Sequence, residues 1–297
     1  MQERKGLVSV IIPVYKTGEL IAETIQSVLG QTHTNFEIIA IDDGSGDSTI
    51  DIVDGFHDAR IRTLRQENQG MAPTRNNGLA LAQGEFVHFL DHDDVVAPDF
   101  LEARLKILNR SPEIGFVGGP IENMPADDQM LLVAGENVEQ ELLFSNRFSA
   151  TPSCYVVRRK VLDENGIMFN PALNNGADRF FLLELNRVTR GAVAKSGTLY
   201  YRVLPNSFSR VITPGLMRDA EKFYFELERT GLTPAKNTSL FRHLYFYMLG
   251  GGFFKVGMYQ VSLGYMSRSF VSDPLRFITL ALKKSAAWIT GRKPTAQ

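Results

Sequence analysis

The chain has 297 residues, 44% hydrophobic and 22% charged, with 32 Lys and Arg against 33 Asp and Glu. That balance suits a packed globular protein and excludes a disordered tail, a collagen-like fibre and a disulfide scaffold. A formal charge of -1 offers no overall basic field to hold nucleic acid. The single cysteine, Cys154, cannot close an intramolecular bridge, so a reducing cytoplasm is the expected compartment. The opening MQERKGLVSVIIPV lacks the shape of a signal peptide, its apolar run being short and ending at Pro13. Nowhere do about 18 apolar residues follow one another, so no spanning helix is expected.

In chain order, LVSVIIPV at 7–14 is a β-branched run of the kind that forms a strand buried on both faces. Residues 19–29 set Leu20, Ile21, Thr24, Ile25 and Val28 on one helical stripe. FEIIAIDDGS predicts a second strand closed by a polar turn at 42–48, then a short helix at 49–56 and a weaker strand at 60–65. A helix with small residues follows at 71–82, and Gly84-Glu85 turns the chain into a fourth strand, FVHFL. Further on, a helix is expected at 99–109, a short strand or turn at 115–120, a polar loop at 123–129 and an acidic helix around 136–144. Residues 153–158 read as a strand, and 179–189 as a helix with Phe180, Leu183 and Val188 facing inward. The last stretch loses strand character and gives roughly three helical segments, including 216–229, 239–255 and 274–289. Strands alternating with helices over short connections predict a mostly parallel α/β sheet.

Functional groups in such a sheet gather where strands end at their carboxyl edge. Three polar clusters fall there: Pro13 to Lys16, Asp42 to Ser45, and Asp91-His92-Asp93-Asp94. Closely spaced carboxylates repel one another unless a cation sits between them, and carboxylate oxygens suit Mg2+ or Mn2+. The plainer alternative is a solvated acidic loop that caps the following helix, with Asp94 near its start. Between the clusters, NQGMAPTRNNG could open a helix whose backbone N–H groups face an anion, with Arg75 adding a planar fork for phosphate. An ordinary surface helix start is the alternative there.

In this order and spacing, VSVIIPVYK, IDDGSGDST, NQGMAPTRNNGL and GEFVHFLDHDD resemble family 2 glycosyltransferases of the GT-A fold. The match is dense over 7–105 and patchier to about 209. The resemblance implies an inverting transfer of sugar from a nucleotide diphosphate, assisted by Mn2+ or Mg2+. It implies that Pro13 and Tyr15 line the nucleoside pocket, with the Tyr15 ring against the base, and that Asp42 or Asp43 hydrogen-bonds the base. Arg75 and Asn76 match the family's ARN segment and its nucleotide contact. Asp91 and Asp93 match the DxD motif, Asp91 toward the ribose and Asp93 toward the metal and diphosphate. Lys16 stands where asparagine is common, and Pro73-Thr74 where an aliphatic-Ala pair is commoner; neither removes a necessary group.

An inverting transfer needs one carboxylate to take the acceptor hydroxyl's proton as it attacks C1. In the family this is the aspartate of a Glu-Asp pair opening a helix, which implies Asp178 here, with Ala177 replacing the glutamate. The alternative for Asp178 is a first-turn acid favoured by the helix dipole. Leu204 stands where many relatives carry histidine, leaving Arg202, Ser207 or Arg210 for the phosphate contact. Cys154 reads as core. His33, His57 and His243 read as surface or structural, His88 as buried and satisfied, and His92 is not assigned as a ligand. Trp288 and Phe277 with Lys283, Lys284, Arg292 and Lys293 suggest an amphipathic C-terminal helix, resting on an anionic membrane face or packed on the body.

The expected architecture is therefore a GT-A α/β domain over 1–215, with a nucleotide-binding half at about 1–97 and an acceptor half at about 98–215. A helical C-terminal extension follows over 216–297. The expected partners are a UDP-sugar donor and a glycan or lipid-linked saccharide acceptor, on a cytoplasmic protein with possible peripheral membrane contact. Two rivals compete with this reading. One is a catalytically impaired sugar-nucleotide-binding protein, suggested by Ala177 and Leu204. The other is a nucleotidyltransferase, disfavoured because no glycine-rich, lysine-containing loop follows the first strand.

Overall fold

The computed structural model describes residues 4–124, 129–130, 151–203, 212–233 and 238–290. It divides into two compact units, Met1–Pro205 and Asn206–Gln297.

The first unit opens with β1 (Arg4–Val14), α1 (Leu20–Leu29), β2 (Phe36–Asp42), α2 (Thr49–Asp54), β3 (Ile61–Arg65), α3 (Met71–Leu81) and β4 (Gly84–Phe89). It continues through β5 (Val95–Val96), α4 (Phe100–Arg110), β6 (Ile114–Gly118), β7 (Ile121–Met124) and β8 (Gln129–Met130). A 3-10 turn (Pro152–Cys154) leads into β9 (Val156–Arg158), α5 (Arg159–Asn165), α6 (Ala177–Val188), β10 (Arg190–Val193) and β11 (Leu199–Arg202).

A seven-stranded sheet runs in the order β10-β6-β9-β4-β1-β2-β3. All its strands are parallel except β9, which pairs antiparallel with both β4 and β6. Burial explains the central place of β1: every residue from Leu7 to Val14 is buried, as a strand covered on both faces requires. Its one buried hydroxyl, Ser9, donates to Glu37 and accepts from the Gly84 backbone, so no polar group is left bare there. The helix α3 lies tight against this sheet because Gly78 faces Ile11; a methyl group at 78 would run into the isoleucine side chain. A smaller four-stranded sheet, β5-β11-β7-β8, joins the antiparallel β5 and β11 to the parallel pair β11 and β7.

Several local expectations change. Part of the polar loop at 123–129 is strand, β7 and β8 pairing antiparallel through Ile121 with Met130 and Glu122 with Gln129. Val188 does not face inward: it is 43% exposed at the last turn of α6, whose buried stripe comprises Ala177, Phe180, Phe181, Leu182, Leu183 and Leu185. The acidic helix expected at 136–144 lies outside the described residues. One side chain escaped the sequence reading. Arg104 on α4 is fully buried, stands 3.4 Å over the Phe100 ring and donates to the carbonyls of Cys154, Phe100 and Gly197.

In the second unit α7 (Pro214–Thr230), α8 (Thr238–Lys255), α9 (Tyr259–Ser272) and α10 (Pro274–Thr290) follow one another. The sequence pattern predicts three of these, and the structure adds α9. Thr213 caps α7 by accepting the Leu216 N–H, with Pro214 in the first turn where its missing donor costs nothing. Tyr224, Phe241, Tyr245, Phe253 and Tyr265 supply a buried aromatic core. Buried His243 bonds the Ser269 carbonyl, linking α8 to α9. Among the described residues no helix is long and apolar enough to cross a membrane.

Candidate active site

The site forms where β1, β2 and β4 end. Val14 pairs with Asp42, and the Asp43 N–H donates to the Val14 carbonyl at 2.9 Å, so the first two strand ends are tied together. Beyond Pro13 the chain leaves the sheet through Lys16, whose φ of 50 is left-handed and whose N–H donates to Ser45 Oγ. This turn leaves the Tyr15 ring 37% exposed, available for stacking, with the Lys16 ammonium 5.1 Å from its centre.

The two neighbouring aspartates differ sharply. Asp42 accepts the Ser45 N–H in a local turn. Asp43 accepts the N–H groups of Gln69 and Gly70, each at 2.8 Å, and the Gln66 side-chain amide. A buried carboxylate at the start of α3 is favoured by the helix dipole and takes up the loose first-turn donors. Asp43 thus fixes where α3 begins, and most of its bonding capacity is engaged in doing so.

From the first turns of that helix Arg75 reaches two carboxylates. Its Nη2 donates to Asp91 at 2.6 Å and its Nη1 to Asp178 at 2.7 Å, while its side chain is only 4% exposed. The guanidinium expected as a phosphate fork is therefore engaged by Asp91 and by the candidate base. Its Nε is buried without a partner. Asn76 also turns away from the expectation. Its Oδ1 accepts the Phe169 N–H at 2.9 Å, and its Nδ2 donates to the Phe169 carbonyl at 2.8 Å. A backbone N–H only donates and a carbonyl only accepts, so these contacts fix the amide orientation.

The acidic turn 91–94 is held by its backbone. Thr24 donates to the His92 carbonyl, Ser153 Oγ accepts the Asp91 N–H, and the Arg202 Nε donates to the Asp93 carbonyl. His92 donates from Nδ1 to the Pro13 carbonyl at 2.8 Å, tying the acidic turn to the end of β1. Arg202 is a brace: its backbone N–H donates to Asp94 and its Nη2 to Glu23 at 2.6 Å. Two of its three guanidinium nitrogens are thus engaged away from the phosphate role considered for it, while Leu204, Ser207 and Arg210 lie outside the described residues.

Burial pushes the Asp93 carboxyl up, opposed by His92 and reinforced by Asp91. Asp94 is fully buried and raised much further by burial and by those two carboxylates, and its Oδ2 has no partner. Tyr201, given no role from sequence, sits close enough that burial and Asp94, Asp91, Asp93 and Asp178 push its phenol up to about 12.

Asp178 stands in the first turn of α6 behind Gly176, whose φ of 90 a β-carbon would oppose. Its side chain is 36% exposed, enough to meet a substrate. Burial raises its carboxyl above the ordinary range, and Arg75 opposes that rise. Ala177 is buried and brings no second carboxylate. Among the described residues, Arg75 is the one charged group bonded to Asp178.

The remaining candidates are structural. Cys154 is buried with its thiol raised by burial, and donates to the Gly119 carbonyl. His33 bonds the carbonyls of Gly6 and Asn35, and His57 is exposed. His88 is buried but only half satisfied: Nδ1 donates to the Tyr155 carbonyl and Nε2 has no partner, and burial pushes its pKa down to about 3.

A family model described as Glycosyl transferase family 2 matches residues 9–166. Glycosyltransferase GlyG of Streptococcus pneumoniae is 42% identical over 99 residues, 32% of this chain and 33% of GlyG. EpsJ of Bacillus subtilis, described as an uncharacterized glycosyltransferase, is 29% identical over 233 residues, 73% of this chain and 67% of EpsJ. The chain thus spans a third of one of these relatives and two thirds of the other. Among solved structures, S. aureus TarS 1-349 in complex with UDP-GlcNAc matches with a TM-score of 0.68 at 19% identity, over 92% of this chain and 83% of that one. The fold is accordingly GT-A: a mostly parallel sheet flanked by helices, with helices at the C-terminus.

Proposed function

The chain belongs to glycosyl transferase family 2, and from that premise we propose that it transfers a sugar, with inversion and metal assistance, from a UDP-sugar to a hydroxyl of a glycan or lipid-linked saccharide. One observation carries the reading. Arg75 joins Asp91, at the end of β4, to Asp178, on a helix 87 residues later (178 minus 91), so the expected donor and base residues meet in one place. In this reading Tyr15 stacks on the base, Asp42 or the remaining lone pairs of Asp43 receive its N–H, and Asp91 faces the ribose. Uridine is supported by the fold neighbour TarS, solved with UDP-GlcNAc.

The side chains fit Mn2+ or Mg2+. Among the described residues no three His, Cys, Asp or Glu groups gather as a metal site. Such an ion takes one or two carboxylates and completes its shell with water and substrate phosphate. Asp93 would hold it; Asp94, next in the chain, keeps an unpartnered Oδ2. When bound, the ion would offset the charge that develops on the departing diphosphate. Asp178 takes the acceptor's proton as the oxygen attacks C1, and its raised proton affinity suits a general base.

Calorimetry of UDP, GDP, CMP and dTDP binding, with Mn2+ present or chelated, tests the donor half in wild type and Asp93→Ala. Binding of UDP that needs both Mn2+ and Asp93 is expected; binding of none by folded protein sinks the reading. Asp178→Asn is expected to keep UDP affinity and lose transfer, whereas full transfer would move the base elsewhere. Nucleotide binding by wild type with no transfer to any acceptor would favour the impaired binder that Ala177 suggests.

Peripheral membrane contact belongs to the same proposal. Residues 255–297 hold seven Lys and Arg against one acid, Asp273. Leu275, Ile278 and Leu282 are exposed at helical spacing on α10, as are Tyr259, Leu263 and Phe270 on α9. Apolar stripes in a basic segment fit an anionic lipid surface.

A further inference from the structure

Phe169 lies in the connection between α5 and α6, carries no charge and belongs to no motif, yet three parts of the site converge on it. Its backbone is gripped through both N–H and C=O by Asn76, the residue after Arg75 on α3. Its ring stacks on Phe181 of α6 at 4.2 Å between centres and 4° between planes, one helical turn beyond Asp178. Phe89, two residues before Asp91, meets the same ring edge-on at 4.9 Å. The Arg75 guanidinium stands 5.0 Å from the ring centre.

A buried guanidinium on a flexible stem holds two carboxylates in register only if something fixes its plane. The ring supplies an apolar and electrostatically favourable wall, and Asn76 keeps that wall at a constant distance from α3. We propose that Phe169, locked by Asn76, is a positioning residue that fixes Arg75 and through it the Asp178 carboxylate. The inference rests on Asp178 being the base proposed above. It gives Asn76 a different task from the nucleotide contact implied by family resemblance.

Two measurements test it. In protein labelled with 15N-arginine, the Arg75 Nε–H signal is identified by its loss in Arg75→Lys. It is expected to be ring-shifted in wild type, to lose that shift in Phe169→Leu and to broaden or move in Asn76→Ala. In transfer assays both variants are expected to lower kcat by about tenfold to a hundredfold, the scale for a misplaced reacting group. The donor KM and the UDP Kd should stay within about twofold. Phe169→Leu keeps an apolar side chain in the core and carries the test if Asn76→Ala does not fold. An unmoved Arg75 signal in Phe169→Leu overturns the proposal, as does loss of UDP affinity with kcat unchanged. Failure of the transferase reading shows differently: wild type neither binds UDP nor transfers, while the arginine signal still decides whether Phe169 holds Arg75.

Discussion

Arg75→Met deletes the guanidinium while keeping an apolar stem, leaving Asp91 and Asp178 without the cation between them. Removing one partner of a buried ion pair costs about 3–5 kcal/mol, because a charge stays behind in a poor solvent. The two carboxylates are 20% and 36% exposed, so water reaches both and the loss should fall at the low end, about 3 kcal/mol. For a unit of this size that corresponds to a fall in Tm of about 6–12 °C. Adding Asp178→Asn removes one of the stranded charges, so the double variant should be more stable than Arg75→Met alone. Calorimetric melting is the assay of choice, since the single tryptophan, Trp288, lies in the other unit and its fluorescence would report that unit. A coupling energy below about 0.5 kcal/mol in the double-mutant cycle would refute the reasoning, because independent sites add to within that margin.

His88 gives a pH signature. Its folded pKa of about 3 lies below the unfolded value of 6.5, so the unfolded chain binds the extra proton between those limits and stability falls as pH drops. At about 1.4 kcal/mol per unit, the loss between pH 6.5 and pH 5 is about 2 kcal/mol. His88→Gln removes the titration and keeps an amide donor for the Tyr155 carbonyl, so urea unfolding at pH 7.5 and pH 5 should show the gap to wild type closing; equal gaps would contradict the assignment. For the membrane contact, intact protein should float with vesicles containing anionic lipid and stay down with neutral ones, and 0.5 M salt, or roughly that, should weaken flotation. Failure to float with anionic vesicles would count against an anionic lipid partner.

Legibility followed the physics of each element. β1, β2 and β4 were readable because strands buried on both faces must be apolar throughout, and the polar residues after each run then mark the carboxyl edge. β5 and β8, two residues each, carry no period that a sequence could display. The helix α9 was missed because Ser262, Ser269 and Gly264 dilute its apolar stripe. Residue type alone could propose Arg75 as an anion fork, but which anion it holds depends on α6 arriving from a hundred residues away. Asn76 meets Phe169 through its side-chain amide and the Phe169 backbone, and a backbone partner leaves no trace in side-chain pattern. Thr24 left a faint one: a hydroxyl on the buried stripe of α1 needs a partner, and finds it in the His92 carbonyl.

The charge arrangement also bears on how a donor diphosphate could enter. Asp42, Asp43, Asp91, Asp93, Asp94 and Asp178 follow the ends of the strands or open α6, and Arg75, buried among the described residues, is already shared by two of them. An arriving diphosphate would add negative charge beside Asp91 and Asp93, whose mutual repulsion, together with burial, already raises the Asp93 carboxyl. Freeing Arg75 to receive the phosphate would strand Asp91 and Asp178, at the cost estimated for Arg75→Met. A divalent ion held by Asp93 would meet both difficulties, since it would supply positive charge where the carboxylates crowd and would let Arg75 stay between Asp91 and Asp178. The proposed metal requirement would thus follow from where Arg75 is spent. Arg75→Lys, whose compact ammonium cannot bridge two carboxylates as a planar fork does, should therefore impair transfer more than Mn2+-dependent UDP binding.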